Sequence, residues 1–304
     1  MSTSVYISTL FHSKSNKESS VPPSDHPTEH GNHPSYLEQE VVVPTPNARK
    51  VILFNPREFY YDMSGEKFMV IFNHRTFKKS RFYDYDPPSA RNGTDEDVRR
   101  LKEVFGKLKF KIFIYLLYLP IYIIIIELKR IITITDYSTA SCLSIVILTH
   151  GEGDGLLCAA DRRYFFSDVL KKFESHPTLA AKPKLFFIQA CRGKQVDKGV
   201  SLALDGPKKG NKFVVPSHAD FLIMRSSVND YRGYRDDRGS WLIQELCNVV
   251  ENYCKDMDLL QMITLVHNKV AFTYTTTTNS AETNDKVAMP ETTFRLTRFV
   301  KFDV

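Results

Sequence analysis

Two patterns of apolar positions alternate along the chain from about residue 67 onward. Runs that are apolar at almost every position are typical of strands buried on both faces, and apolar residues at helical spacing lie between them. This alternation predicts an α/β fold in which helices cover a sheet. The strand-like runs are KFMVIFN (67–73), SIVILT (144–149), KLFFI (184–188) and ADFLIMRSS (219–227).

The helices are predicted from apolar spacing and from capping residues. Thr94, which acidic residues follow, is the expected N-cap of the first helix, and Ser167 is that of SDVLKKFE. GSWLIQELCNVVENYCK and DLLQMITLVHNKVAF predict two more helices, and TTFRLTRFVKF predicts a last strand. The apolar face of the first helix comprises Val98, Leu101, Val104, Phe105 and Leu108.

The segment FKIFIYLLYLPIYIIII (110–126) is the most apolar part of the chain. Lys111 and Pro120 interrupt it, so the apolar run is shorter than the roughly 20 residues of a membrane span, and a core segment is favoured. KIFIY predicts a strand and ELKRIIT part of a helix. The four consecutive isoleucines are poor helix formers, and an apolar loop here would be an exposed patch.

The chain is predicted to consist of a leader and one folded domain. Residues 1–50 are rich in Ser, Pro, Thr, His and charge without apolar periodicity, which predicts disorder. Residues 51–304 form the folded part. The polar linker at 194–212 predicts an exposed loop that divides one core, because neither part would be self-sufficient.

Composition narrows the class of protein. The net charge is +6, but the basic residues are scattered among 35 acidic ones without a stripe or interleaved aromatics, so nucleic-acid binding is not expected. Five cysteines without a CxxC pair predict a reducing compartment, hence the cytoplasm. Three histidines in the leader could bind a metal, but a solvated polar tail is favoured, because no cysteine or carboxylate cluster accompanies His26, His30 and His33.

Two reactive residue types follow two predicted strands. His150 follows SIVILT, and Cys191 closely follows KLFFI. Loops at the carboxyl ends of parallel strands build active sites, and an imidazole can accept the proton of a thiol so that the thiolate attacks a carbonyl carbon. Alone, each residue is more often structural than catalytic. Gly151, in the turn GEGDG, is a natural oxyanion donor.

The residues around this pair resemble the caspase family. QACRG is typical of the caspase nucleophile strand, and His150 lies upstream at a suitable distance. RNGTDED and LTHGEG resemble two further segments of that family, and ADFL, GSW and MPETTFRLTRFVKF extend the match in order. The resemblance implies a caspase-like fold: a mostly parallel central β-sheet flanked by helices on both faces.

The resemblance implies a role for each matching residue. Cys191 would attack the scissile carbonyl, His150 would manage the protons, and the backbone N–H groups of Gly151 and Cys191 would form the oxyanion hole. Aspartate specificity would come from Arg91, Gln189 and Arg235, since guanidinium forks match a carboxylate. Tyr234 would bind substrate beyond the aspartate, where the family usually has tryptophan, and Arg232 also replaces an aromatic residue.

The resemblance also implies how the enzyme is controlled. The short leader is like that of an insect-type executioner, activated by a cut at Asp205, with Asp197 as the second choice. The large subunit would span about 51–205 and the small subunit 206–304. The implied partners are protein substrates with aspartate at the cleavage position, a second copy in a homodimer, inhibitor-of-apoptosis proteins and an upstream initiator caspase. No cofactor or metal is implied.

Two alternatives stay open at this point. The altered segment at 110–126 and the substituted pocket residues would also suit a catalytically weak homologue that acts as a decoy or regulator of an active caspase. The isoleucine-rich run would suit a membrane-anchored binding protein.

Overall fold

The computed structural model describes residues 57–117, 119–134, 137–174, 176–191, 218–228, 233–276, 284 and 286–302. The predicted leader and the linker at 194–212 lie outside the described residues, so the division into leader, large subunit and small subunit stays a prediction. The strands are β1 (Glu66–His74), β2 (Phe110–Leu117), β3 (Ala140–Leu148), β4 (Leu156–Cys158), β5 (Arg163–Phe165), β6 (Lys184–Gln189), β7 (Phe221–Arg225), β8 (Arg235–Asp236), β9 (Gly239–Ser240) and β10 (Glu291–Phe294). The α-helices are α1 (Thr94–Lys107), α2 (Ile121–Ile134), α3 (Phe166–Glu174), α4 (Trp241–Tyr253) and α5 (Leu259–Thr273).

Six strands form the central sheet in the order β10-β7-β6-β3-β1-β2. Every neighbouring pair is parallel except β10 with β7. Strands β3 and β6 are buried at every position, as their continuous apolar runs predict. The predicted mostly parallel α/β sheet is therefore confirmed.

Helices cover both faces of the sheet. Residues of α1, α4 and α5 pack into the core on one face, and residues of α2 and α3 into the core on the other. Successive residues of a strand point to opposite faces. Phe186 accordingly packs edge-on against Phe166 and Phe173, with ring centroids 5.8 and 5.6 Å away, whereas Phe187 lies 6.3 Å from Phe105.

The two predicted caps are wrong. Helix α1 begins at Thr94 itself, and its N-cap is Gly93 at φ 80°. A side chain on Gly93 would come within 2.3 Å of the backbone oxygen of Asp236, so the close approach of this turn to β8 requires glycine. The Thr94 hydroxyl is engaged by Arg91 instead of a helix N–H. Ser167 lies inside α3, which begins at Phe166.

Helix α2 contains the four isoleucines that were expected to disfavour a helix. Packing overrides their weak propensity, because the spacing of Ile124, Leu128 and Ile131 places all three in the core. The helix is anchored at its start by the backbone N–H of Ile121, which donates to Asp161 Oδ1 at 2.8 Å. Within the described ranges, no helix has the length and hydropathy to cross a membrane.

Candidate active site

Strands β3 and β6 bring His150 and Cys191 to one edge of the sheet. The two strands are adjacent and parallel, and Leu148 is in register with Gln189. The backbone N–H of Thr149 donates to the Gln189 carbonyl at 3.0 Å, which continues the pairing one step beyond the register. Thr149 is followed by His150, and Gln189 is followed by Ala190 and then Cys191, so the two reactive groups emerge from neighbouring chain segments.

The His150 imidazole is held in one tautomer. Its Nε2 lies 2.9 Å from the carbonyl oxygen of Ser89, and because a carbonyl can only accept, Nε2 carries the proton. Nδ1 is therefore the basic nitrogen. Burial and the positive charges of Arg91 and Arg235 lower the pKa of His150 to about 4, against the opposing effect of the Ser89 bond. The ring is neutral at pH 7 and able to accept a proton.

Cys191 differs from the other cysteines in its accessibility. It is partly exposed, and its thiol lies 3.6 Å from the carbonyl oxygen of Gly233. Burial raises the pKa of Cys142 to about 12 and that of Cys158 to about 11, which keeps these thiols protonated and unreactive at neutral pH. Cys247 and Cys254 are buried as well.

The glycine turn after His150 lies directly against the Cys191 backbone. A Cβ placed on Gly151 would lie 2.2 Å from the Cys191 carbonyl oxygen, so no side chain fits at this position. Strand β4 supports the turn from the other side: Gly151 bridges to Leu157, and the Glu152 N–H donates to the Leu156 carbonyl at 2.9 Å. The peptide groups of Gly151 and Cys191 are thus adjacent.

Arg91 is a fully buried guanidinium beside this pair. Its Nη1 donates to the Thr94 hydroxyl at 2.7 Å and to the His74 carbonyl at 3.2 Å. Its Nε and Nη2 have no hydrogen-bond partner among the described residues. Burial, with the nearby charge of Arg235, lowers the pKa of Arg91 to about 9, so the group stays charged at neutral pH. A buried cation with two unused donors favours an anionic ligand.

Arg235 and Gln189 lie in the same region of the structure as Arg91. Arg235 comes from β8, and its Nε donates to the Asn92 carbonyl at 2.7 Å, next to Arg91 in the chain. Gln189 is 2% exposed, and its Oε1 accepts no hydrogen bond from the described part of the chain. A Cβ on Gly233 would lie 3.2 Å from Gln189 Nε2 and 2.3 Å from Ser226 Oγ, so this glycine lets the backbone approach closely.

The remaining predicted site residues are only partly placed. The Tyr234 ring lies 4.8 Å from that of Trp241, so it packs on the start of α4. Arg232, Asp197 and Asp205 lie outside the described residues. No cluster of three or more potential metal-ligating side chains occurs among the residues that the structure describes.

A buried polar network around Arg91 was not predicted. The Thr94 hydroxyl accepts from Arg91 and donates to Asn73 Oδ1 at 2.7 Å, and Asn73 Nδ2 donates to Asp95 at 3.0 Å. The polar segment RNGTDED contains part of this network, whereas its partner Asn73 belongs to strand β1. The sheet brings these distant residues together, so the local spacing of residues could not predict their contact.

His74 gives a pH-dependent prediction. Its ring is completely buried, and burial together with the charge of Arg91 lowers its pKa to about 3. As pH falls through about 6.5, the unfolded chain binds a proton that the folded chain excludes, so stability decreases. Between pH 7 and 5 this one group should remove about 2 kcal/mol of unfolding free energy. His74→Phe, compared with wild type in urea denaturation at both pH values, should show a correspondingly smaller loss; an unchanged pH dependence would contradict the assignment.

Comparisons with known proteins agree with this geometry. A family model described as the caspase domain matches residues 66–301. The chain is 36% identical over 255 residues to Caspase-1 of Spodoptera frugiperda, covering 80% of this chain and 81% of that protein. It is 33% identical over 248 residues to Caspase drICE of Drosophila melanogaster, covering 77% and 68%. The crystal structure of Caspase-1 from Spodoptera frugiperda superposes with a TM-score of 0.73 at 33% identity, covering 84% of this chain and 96% of that one.

Proposed function

Because this chain belongs to the caspase family, whose members are cysteine endopeptidases, we propose that it cleaves protein substrates after aspartate. Family membership confirms the resemblance inferred from the motifs, and insect proteins are among the relatives. Membership of the family also supports a general function in apoptosis-type proteolysis. The aspartate specificity, the role of each residue and the mode of activation are the parts that we propose.

The proposed reaction uses Cys191 and His150 in two steps. The Cys191 sulfur attacks the scissile carbonyl carbon, and the neutral His150 imidazole, whose Nδ1 is unprotonated, takes up the thiol proton. The same proton passes to the departing amine as the peptide bond breaks and a thioester forms. Water then hydrolyses the thioester, and His150 accepts a proton from it. The adjacent N–H groups of Gly151 and Cys191 would stabilise the oxyanion in both steps.

The observation that carries the specificity is the buried Arg91 with its two unused N–H donors. An aspartate side chain would supply the missing acceptors, with Arg235 and Gln189 as further donors. A neutral side chain in this pocket would leave the two guanidinium groups without a counter-charge. The pocket should therefore reject asparagine as well as alanine.

The network around Arg91 yields a second prediction. Thr94→Val removes the hydroxyl that accepts from Arg91 while it keeps the side-chain shape. We expect kcat/KM for an aspartate peptide to fall about tenfold, because the guanidinium loses its orientation. Thr94→Ser should restore most of the activity. A purely structural role would lower the melting temperature without changing the ratio of rates on aspartate and asparagine peptides.

Activation and assembly complete the proposal. Cleavage after Asp205 would separate a large subunit (51–205) from a small one (206–304), as in an executioner with a short leader. The strand β10 offers support for a homodimer whose sheets join, because it lies at the edge of the sheet that the described residues form and Phe294 is 53% exposed. Inhibitor-of-apoptosis proteins, an upstream initiator caspase and a cytoplasmic location belong to the same proposal.

A peptide assay tests the function directly. Purified, folded and linker-cleaved protein should hydrolyse a fluorogenic peptide ending in aspartate, with kcat/KM about a thousandfold above that for the asparagine peptide of otherwise identical sequence. Alanine and arginine peptides serve as further controls. Asp205→Ala, assayed alongside, should remain uncleaved and less active. Absence of aspartate-dependent turnover in the cleaved wild type would contradict the enzyme proposal and favour the decoy.

A further inference from the structure

We propose that a groove between α2, α3 and the β4–β5 hairpin binds an amphipathic segment of a partner protein that presents apolar and acidic side chains. The groove has a volume of about 630 Å³. Its lining includes Ile124, Ile125, Leu128, Phe165, Lys171 and Lys172, and we call it the α2–α3 groove. It does not include the proposed catalytic residues.

Part of the apolar lining of the groove stays exposed to water. The buried face of α2 is already filled by Ile124, Leu128 and Ile131. Ile125 is nevertheless 37% exposed, and across the groove Phe165 is 49% exposed. Exposed apolar side chains that line one groove favour a docking site, because leaving them in water is unfavourable.

Charges along the groove favour a carboxylate-bearing partner. Lys171 and Lys172 line the α3 side of the groove. Among the described residues, Asp168 is the one acidic residue in its lining. The Lys171 Nζ lies 3.5 Å from Asp168 Oδ1, and both side chains are exposed, so this ion pair contributes little to stability. Arg163, also in the lining, pairs with Glu152 at 2.8 Å. The two lysines leave the rim positive, which complements acidic side chains.

The same features disfavour two other occupants. A second copy related by twofold symmetry would place the same lysines close to each other across the interface, and like charges would repel. A membrane is flat, whereas the groove is concave and carries Asp168 on its rim. A helix that presents a ridge of apolar side chains flanked by glutamates fits the shape and the charge.

A binding experiment tests the inference without using catalysis. The probe is a fluorescein-labelled helical peptide with leucines at i, i+3, i+4 and i+7 and glutamates beside them, titrated with the Cys191→Ala protein and followed by anisotropy. We expect saturable binding that weakens about tenfold when lysines replace the glutamates, and again when Lys171→Glu and Lys172→Glu are combined in the protein. Ile125→Asp should abolish binding.

Matched variants separate the groove from general surface effects. Ile126 is an exposed residue of the same helix outside the groove lining, and Lys102 is an exposed residue of α1. The variants Ile126→Asp and Lys102→Glu should both bind the probe like the parent protein. Turnover of the aspartate peptide by the same groove variants with Cys191 intact should be unchanged. The binding measurement uses no catalysis, so failure of the catalytic proposal would not affect it. Absence of binding, equal binding of both peptides, loss of a dimer in Ile125→Asp by sedimentation, or groove-dependent binding to phosphatidylserine vesicles without peptide binding would each overturn the inference.

Discussion

Replacing Cys191 by alanine is expected to lower kcat on an aspartate peptide by about 10⁴-fold or more, because no other group can form the thioester. The four other cysteines cannot substitute, since all are buried, and burial raises the pKa of Cys142, Cys158 and Cys247. The fold should survive, because Cys191 is partly exposed and its thiol makes one weak hydrogen bond within the described part of the chain. Turnover is measured by peptide hydrolysis at saturating substrate, with the melting temperature recorded for each protein.

The control for this change is chemical reactivity. Iodoacetamide at neutral pH should alkylate Cys191 in the folded wild type and leave the buried Cys142 and Cys247 unmodified, as read by peptide mass mapping. Cys247→Ala should keep its activity if it folds, since its thiol lies in the core away from the site. Persistent turnover in Cys191→Ala would show that the nucleophile is misassigned.

The second large effect is expected from Arg91→Lys. Lysine keeps the charge but cannot direct two N–H groups at one carboxylate, and its single ammonium cannot also reach Thr94 and the His74 carbonyl in the geometry of a fork. We expect kcat/KM for the aspartate peptide to fall about a hundredfold, roughly 3 kcal/mol of transition-state stabilisation. The preference for aspartate over asparagine should shrink with it.

Arg75→Lys is the matched control, because Arg75 lies in the same part of the fold and pairs with Asp95 at the surface at 2.6 Å. An exposed pair of this kind contributes about 1 kcal/mol or less, so activity should stay near that of wild type. Equal kinetics of Arg91→Lys and wild type would show that Arg91 does not bind substrate.

The sheet could be predicted from the sequence because each of its central strands is buried on both faces. A parallel strand of this kind needs apolar residues at nearly every position, and KLFFI satisfies that requirement without ambiguity. The positions of His150 and Cys191 followed from the same strands. Local patterns therefore located the two candidate catalytic residues, because each of them follows the end of a strand.

The caps and the isoleucine-rich first half of α2 could not be predicted, because distant residues decide them, whereas ELKRIIT in the second half was predicted as part of a helix. Thr94 is a residue type that commonly caps helices, but its hydroxyl accepts a hydrogen bond from the buried Arg91 guanidinium. The isoleucines of α2 have weak helix propensity, and burial of Ile124 against the sheet outweighs it. The Arg91 network likewise depends on Asn73, which the sheet places beside α1.

The adjacency of β6 and β7 affects what a cut in the intervening segment would do. The two strands are paired directly through five residue pairs, from Lys184 with Phe221 to Ile188 with Arg225. The hydrogen bonds and both core faces across this seam do not depend on the connecting peptide. A nicked chain should therefore migrate as one particle on a native gel and separate into two bands in denaturant. The nick would free the ends of the connecting segment without separating the two pieces.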